Sequence, residues 1–192
     1  MRRRLLLAAG AVGAAGVTAP AAASSNDEGW EALARGQAAI VLLRHATAPG
    51  VGDPSGLRIG DCSTQRNLDE RGRAEARRIG EAFRRRRITV AQVLSSRWCR
   101  ASETAALAFP GRVQEEPAFD SFFSDTQSEP DRTARALAIL RQWKGPGALV
   151  VVSHQVNIRA LTGISTTSAE GLVVRLEGAG GQPLRVLGRL TF

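Results

Sequence analysis

The sequence predicts a three-layer α/β/α domain with a mainly parallel central sheet. Short apolar runs of strand length occur at residues 38–43, 88–94 and 148–152, and segments with helical spacing of apolar residues separate them. Continuous apolar runs bounded by polar residues are typical of strands buried on both faces. Alternation of such strands with helices is typical of a parallel sheet covered by helices on both sides.

The segments between these strands predict helices. In residues 68–87 the apolar side chains fall near helical spacing, with acidic residues early and arginines late, as the helix dipole favours. Residues 48–64 are rich in glycine and proline and predict a loop, and residues 116–128 are irregular. Further helices are predicted at 30–35, 98–107, 129–143 and 155–161, with a short strand at Val113 and two late strands at 171–176 and 184–190 flanking a glycine-rich turn.

The N-terminal segment predicts an export signal. Arg2, Arg3 and Arg4 precede an apolar run, and the segment ends in small residues up to Ala23. The arginines also fit a twin-arginine type of signal. The alternative is an uncleaved membrane anchor, but the run is short for a bilayer span and glycines interrupt it. We therefore expect a signal peptide at 1–23, a single domain at 24–192, and an exported protein, periplasmic or secreted, with no stable membrane span after signal removal.

Composition and charge favour a globular protein with an anionic substrate. Apolar residues make up 43% and charged residues 23% of the chain, which is ordinary for a soluble domain. Without the three leader arginines, 23 basic and 18 acidic residues remain, a net charge of +5. Because no basic run is interleaved with aromatic residues, the sequence favours a small anionic partner and no nucleic acid. It does not predict an oligomeric state.

Two cysteines, Cys62 and Cys99, are too few for a disulfide-built scaffold, and they have no zinc-type spacing. Export would make a single bridge plausible. The alternative is two unpaired thiols packed as small apolar groups.

Both histidines of the chain follow predicted strands. His45 comes after Arg44 at the end of the first strand, and His154 follows the third. Since the carboxyl ends of parallel strands share one edge of the sheet, where α/β proteins bind ligands, the two rings are expected to meet there. One such histidine would be read as structural, but two at equivalent strand ends favour a functional site.

Imidazoles and arginines together suit phosphoryl chemistry. A neutral imidazole can attack phosphorus without a metal. Arginines neutralise phosphoryl oxygens with forked hydrogen bonds, and a second histidine can stabilise the same oxygens. Zinc would require more histidine, cysteine or well-spaced carboxylate ligands than the sequence offers. The residues therefore predict neither a metal nor a cofactor.

Four segments together resemble the motifs of the histidine phosphatase (phosphoglycerate-mutase-like) superfamily, including its small exported members. Residues 42–46 (Leu-Leu-Arg-His-Ala) are similar to its Arg-His-Gly motif, with Ala46 in place of glycine. Residues 68–76, 95–105 and 151–154 resemble its helix-opening, second-arginine and second-histidine motifs, and the resemblance covers residues 38–165 in order. Gln155 and Val156 replace a common glycine pair.

The resemblance implies a metal-independent phosphatase that hydrolyses phosphomonoesters through a phosphohistidine on His45. Arg44 and Arg100 would bind the phosphoryl group, and His154 would complete the pocket. Two alternatives stay open. One is a non-catalytic module that binds phosphorylated glycans or headgroups in the same pocket, and the other is a zinc-dependent hydrolase.

The resemblance also suggests where the leaving-group acid lies. Some family members use an acid after the second histidine, but this position is Gln155. In the middle segment Asp120 is nearest the expected place, followed by Asp125 and Glu116. The alternative is that Asp120 is an ordinary solvated loop aspartate.

Three further expectations concern residues around the pocket. Thr47 and Asn67, with Gln65 and Arg66, are candidates for hydrogen bonds to substrate, although Asn67 also suits the N-cap of the following helix. Cys99 adjoins Arg100, and Cys62 lies in the loop after the first histidine. We therefore hypothesise that a Cys62–Cys99 bridge ties two pocket loops together.

Overall fold

A computed structural model describes residues 26–36, 39–177 and 184–192 of the protein. The predicted signal peptide and the late glycine-rich turn lie outside the described residues. Within these ranges six strands form one sheet. They are β1 (Ala39–Arg44), β2 (Val90–Ser95), β3 (Val113–Glu115), β4 (Ala148–Ser153), β5 (Gly171–Leu176) and β6 (Leu184–Leu190).

The spatial order of the strands is β3-β2-β4-β1-β5-β6. The first four strands in this order pair in parallel, and β5 and β6 are added antiparallel at one edge. The predicted mainly parallel sheet is therefore confirmed. Because β1 and β2 both pair with β4, the carboxyl ends of these three strands lie side by side.

Helices cover both faces of the sheet. The strands alternate their side chains: Val41 and Leu43 pack toward α1, α2 and α3, whereas Ile40 and Leu42 pack toward α4 and α5. Each face thus forms its own apolar core, and the predicted three layers are confirmed. The helices are α1 (Asn26–Ala34), α2 (Glu70–Arg85), α3 (Cys99–Ala108), α4 (Glu129–Gln142) and α5 (Gln155–Thr162).

Several boundaries differ from the sequence prediction. The cap of α2 is Asp69, whose carboxylate accepts a hydrogen bond from the backbone N–H of Gly72 at 2.7 Å, so the expectation of Asn67 as N-cap was wrong. Helix α1 begins four residues earlier than predicted. It packs along β6, and the Asn26 side chain accepts a hydrogen bond from the Thr191 N–H. These long-range contacts stabilise the first turn of α1, a helix that is too short to be stable alone.

None of the helices in the described ranges has both the length and the apolar character that a membrane crossing would require.

Candidate active site

The two histidines meet at the carboxyl edge of the parallel strands. His45 follows β1 and His154 follows β4, which are neighbours in the sheet. Their ring centroids are 5.3 Å apart. Both rings line one open pocket, together with Arg44, Gly50, Val51, Gly52, Asp53, Arg66, Arg100, Ser121, Phe123, Gln155 and Val156.

The hydrogen bonds of the His45 ring indicate which nitrogen is free to react. Nδ1 lies 2.7 Å from the backbone carbonyl of Ala46, so it is assigned the ring proton and donates to that oxygen. Nε2 therefore carries the lone pair, and it accepts a hydrogen bond from Nε of Arg100 at 3.2 Å. Burial, and to a lesser extent the charges of Arg100 and Arg44, lower the pKa of His45 to about 3. The ring is thus neutral at physiological pH, as a nucleophile must be.

The backbone after His45 is held by buried side chains from two helices. The Ala46 N–H donates to the Thr104 hydroxyl on α3 at 3.0 Å, and the Thr47 N–H donates to the Glu75 carboxylate on α2 at 2.9 Å. A Cβ on Gly72 would lie 2.0 Å from the Thr47 carbonyl oxygen, so only glycine allows α2 to approach this closely. Thr47 thus serves through its backbone, and it is not among the residues that line the pocket.

Arg100 connects the reactive groups. It is the second residue of α3, and its side chain is only 3% exposed. Besides its bond to His45, it places Nη1 and Nη2 on the two carboxylate oxygens of Asp53. Nη2 also lies 3.5 Å from Nδ1 of His154. One guanidinium therefore touches both histidines and a carboxylate.

Two further arginines make the pocket strongly cationic. Arg44 donates to the Thr166 carbonyl at 2.7 Å, but its Nε is buried without a hydrogen-bond partner. Burial first, and then the charge of Arg100, lower the pKa of both Arg44 and Arg66. Mutual repulsion of this kind is relieved by an anion, and three guanidinium groups suit an oxyanion with several charged oxygens.

The second histidine is supported from behind by a buried serine. Nε2 of His154 lies 2.8 Å from Oγ of Ser96, leaving Nδ1 on the pocket side near Arg100. Burial, followed by the charges of His45 and Arg100, lowers the pKa of His154 well below its usual value. The pocket therefore holds two neutral imidazoles.

Asp120 occupies a different place from the one expected of a leaving-group acid. It is completely buried and accepts hydrogen bonds from the backbone N–H and the Nε of Arg97, at 2.9 and 2.8 Å. The Ser96 hydroxyl donates to Oδ1 of Asp120 at 3.3 Å. Both of its carboxylate oxygens are thus engaged, and Asp120 does not line the pocket. It supports His154 through Ser96, so its assignment as proton donor is not supported by the structure.

The other two candidate acids also lie away from the pocket lining. Glu116 caps a short 3-10 helix by accepting from the Ala118 N–H, and Asp125 is an exposed residue before the next short turn.

Asn67 is likewise absent from the pocket that holds the histidines. Its side chain donates to the Cys62 carbonyl at 2.7 Å, and it borders a separate depression with Cys62 and Cys99. Its neighbour Arg66 points into the pocket instead.

Of the charged residues that line this pocket, Asp53 was not singled out from the sequence and Arg66 was given no role of its own. Asp53 has no motif around it beyond a glycine- and proline-rich loop, which gives no periodicity from which to read a side-chain direction. Arg66 was considered only as one of several hydrogen-bond donors. Its side chain donates to the carbonyls of Ala48 and Gly52 and so closes the loop onto the pocket. The only signal for Arg66 in the sequence was its position a few residues before the start of α2.

Cys62 and Cys99 are joined in a disulfide. The bridge connects the loop after His45 to the first residue of α3, next to Arg100. The Gln65 side chain makes a second tie, because its Oε1 accepts from the Cys99 N–H at 3.0 Å. Together these contacts hold the loop that carries Asp53 against the helix that carries Arg100.

Across residues 26–36, 39–177 and 184–192, no group of three or more histidine, cysteine, aspartate and glutamate side chains is arranged to hold a metal ion.

The depressed pKa of His45 predicts acid sensitivity of the fold. Between pH 3 and 6.5 the unfolded chain binds a proton at this residue that the folded chain does not, so the free energy of unfolding falls as the pH is lowered. From pH 6.5 to 5 this one group should remove about 2 kcal/mol. Urea unfolding at several pH values should show this loss in the wild type and a smaller loss in His45→Asn, which cannot titrate. Equal pH dependence of the two proteins would contradict the burial of a neutral ring.

The disulfide predicts a stability that depends on oxidation. Replacing both cysteines, Cys62→Ser with Cys99→Ser, should lower the free energy of unfolding by about 2–4 kcal/mol, because a 37-residue separation is no longer closed in the unfolded chain. Mass measurement of the purified protein under non-reducing conditions checks the bridge directly, and two free thiols there would contradict it.

Part of the sequence matches a known family. Residues 40–122 match the model of the histidine phosphatase superfamily (branch 1). No curated protein matches the sequence.

Solved structures share the fold at low sequence identity. The protein histidine phosphatase SixA complexed with tungstate is 17% identical with a TM-score of 0.56, covering 80% of this chain and 96% of that chain. Mycobacterial glucosyl-3-phosphoglycerate phosphatase Rv2419c with VO3 is 16% identical with a TM-score of 0.57, covering 80% and 100%. Phosphoserine phosphatase from Entamoeba histolytica with 3-phosphoglyceric acid is 13% identical with a TM-score of 0.58, covering 81% and 98%. The chain thus has the fold of solved phosphatases, and its residues 40–122 match the histidine phosphatase superfamily.

Proposed function

We propose that this protein is a metal-independent phosphatase of the histidine phosphatase superfamily, which hydrolyses phosphomonoesters through a phosphohistidine on His45. One observation carries the proposal: two neutral imidazoles lie 5.3 Å apart in a pocket that three arginines, Arg44, Arg66 and Arg100, make cationic. The phosphatases named above, two of which hold tungstate or VO3, support the same class of reaction.

The first step uses the lone pair on Nε2 of His45. This nitrogen accepts a hydrogen bond from Arg100, so the guanidinium must turn toward the incoming phosphoryl oxygens before attack. The Ala46 carbonyl holds the proton on Nδ1, and it stabilises the positive charge that develops on the ring as the N–P bond forms.

The charged oxygens of the phosphoryl group would be held by the arginines and by His154. A dianion near Nδ1 of His154 favours protonation of that ring, because an opposite charge stabilises the imidazolium. The Ser96 hydroxyl can accept a hydrogen bond from Nε2–H of His154 while it donates to the buried Asp120 carboxylate. Both N–H groups of a protonated His154 would then have an acceptor. His154 would then donate to the same oxygens as the arginines do and stabilise the transition state.

Replacement of the nucleophile tests this function. His45→Ala should lower the hydrolysis of p-nitrophenyl phosphate by roughly 10³-fold or more, because removal of the attacking group leaves only binding and charge stabilisation. The wild type should keep its activity in excess chelator. Rapid denaturing quench during turnover should trap an acid-labile phosphoryl group on His45, detectable by peptide mass spectrometry.

Asp125→Asn serves as the matched control, since this exposed residue is outside the pocket lining and should leave the rate unchanged. Tight binding of inorganic phosphate without hydrolysis of any phosphoester would instead support the non-catalytic module. Loss of activity in chelator, restored by zinc, would support the zinc-dependent hydrolase.

We further propose that the protein is exported and that residues 1–23 are its signal. The charged start and the small residues at 21–23 support this, and a disulfide is typical of proteins in oxidising compartments. N-terminal sequencing of protein recovered outside the cytoplasm should begin at Ser24. Recovery of the intact chain from the cytoplasm would contradict export.

A further inference from the structure

The pocket contains a carboxylate for which the proposed reaction has so far no role. Among the pocket-lining residues that the structure describes, Asp53 is the only aspartate or glutamate. Its side chain is 8% exposed, on the loop between β1 and α2. A phosphomonoester with an alkoxide leaving group requires a proton donor near the leaving oxygen, and the three acids considered from the sequence are all outside the pocket lining.

The Arg100 guanidinium connects Asp53 to the proposed nucleophile, His45. Both carboxylate oxygens bind the terminal nitrogens of Arg100, whose Nε donates to His45. Oδ2 of Asp53 also accepts from the indole N–H of Trp98 at 3.1 Å. The carboxylate occupies the anion-binding edge of Arg100, where a phosphoryl group would otherwise bind.

We propose that Asp53 is the leaving-group acid of this site and that substrate binding itself releases it for this role. The inference rests on the proposed phosphatase function. When a phosphoryl group enters, its oxygens compete with the Asp53 carboxylate for the Arg100 fork. Bidentate arginine contacts suit phosphoryl oxygens as well as a carboxylate, and the group brings more negative charge.

Loss of the Arg100 partner favours the protonated form of Asp53. The carboxyl group then faces a phosphoryl anion, and like charges nearby disfavour its ionised form. The other charged or titratable groups that line the pocket are Arg44, Arg66, Arg100 and the two histidines. The arginines and a protonated His154 oppose the effect, but the phosphoryl oxygens that they bind offset their charge. Because the Trp98 indole still donates to it, the carboxyl group stays at the pocket after Arg100 has turned away.

The chemical step balances with water as the second substrate. Nε2 of His45 attacks phosphorus, the bond to the leaving oxygen breaks, and this oxygen takes the proton of the Asp53 carboxyl group. In the second step the Asp53 carboxylate accepts a proton from a water molecule, the water oxygen bonds to phosphorus, and the N–P bond breaks. His45 returns to its neutral form, and Asp53 releases its proton to solvent when phosphate leaves and Arg100 returns.

Dependence on the leaving group distinguishes a proton donor from a residue that only orients Arg100. Asp53→Asn should lower kcat/KM for an alkyl phosphate such as phosphoserine by about 10²–10⁴-fold. It should affect p-nitrophenyl phosphate much less, since a stable phenolate leaves without a proton. The readout is the loss of kcat/KM on the alkyl phosphate divided by the loss on p-nitrophenyl phosphate. A residue that only orients Arg100 would lower both values by a common factor and leave this ratio unchanged.

Three further variants sharpen the test. Asp53→Glu keeps the acid and should recover part of the alkyl phosphate activity. Trp98→Phe removes the indole donor that holds Asp53, and should shift the leaving-group preference in the same direction as Asp53→Asn by a smaller factor. Asp125→Asn, an exposed carboxylate outside the pocket lining, should show no shift. Circular dichroism of each variant confirms that it is folded.

An equal loss on both substrates in Asp53→Asn would overturn the proposal, because it would show that Asp53 only positions Arg100. The proposal would also be overturned if a folded Asp53→Asn kept full alkyl phosphate activity and Trp98→Phe kept its leaving-group preference. If the wild type hydrolyses no phosphoester at all, the proposed function fails and this assignment fails with it, a result distinct from a lost preference.

Discussion

The Arg100 guanidinium makes the contacts on which the arrangement of the whole pocket depends. It donates to the lone pair of His45, lies against Nδ1 of His154, and binds both oxygens of Asp53. A buried cation is costly unless it is paired, and Asp53 supplies the compensating charge. Because an arginine has a rigid fork of donors, one side chain can hold two histidines and a carboxylate in a fixed relation. The backbone around it must therefore be held firmly, and the fold does this from several directions.

The groups that hold the site are mostly buried and mostly distant in sequence. Glu75 and Thr104 bind the backbone directly after His45, so two helices determine where His45 lies. The disulfide and the Gln65 side chain fasten the loop to the start of α3. Behind His154, the chain of hydrogen bonds through Ser96 ends on a carboxylate that Arg97 neutralises. Each of these supporting side chains thus has a partner, as burial without water requires. Among the described residues that line the pocket, Arg44 has a buried Nε without a hydrogen-bond partner, at a site suited to an anion.

Much of this site could be predicted from local patterns, because the relevant signals are local. His45 and His154 directly follow apolar strands, and neighbouring parallel strands bring their carboxyl ends together, so their meeting followed from two short segments of sequence. Arg100 was found through the motif at the start of α3. Asp120 was expected near the reacting groups because of its position along the chain, but its side chain binds Arg97 and lies outside the pocket lining. Asn67 was misread for a similar reason, since the nearby Asp69 reaches the free N–H of the helix.

The sequence by itself determined the layers of the fold, the order of strands and helices, and the edge of the sheet where the two histidines meet. Hydrophobic periodicity repeats every few residues and can be read without knowing the rest of the chain. Only the tertiary structure decided which carboxylate faces the histidines. In a loop without periodicity, the direction of a side chain depends on contacts with distant residues, and here the Arg100 fork, the Trp98 indole and the bridge to α3 bring Asp53 into the pocket.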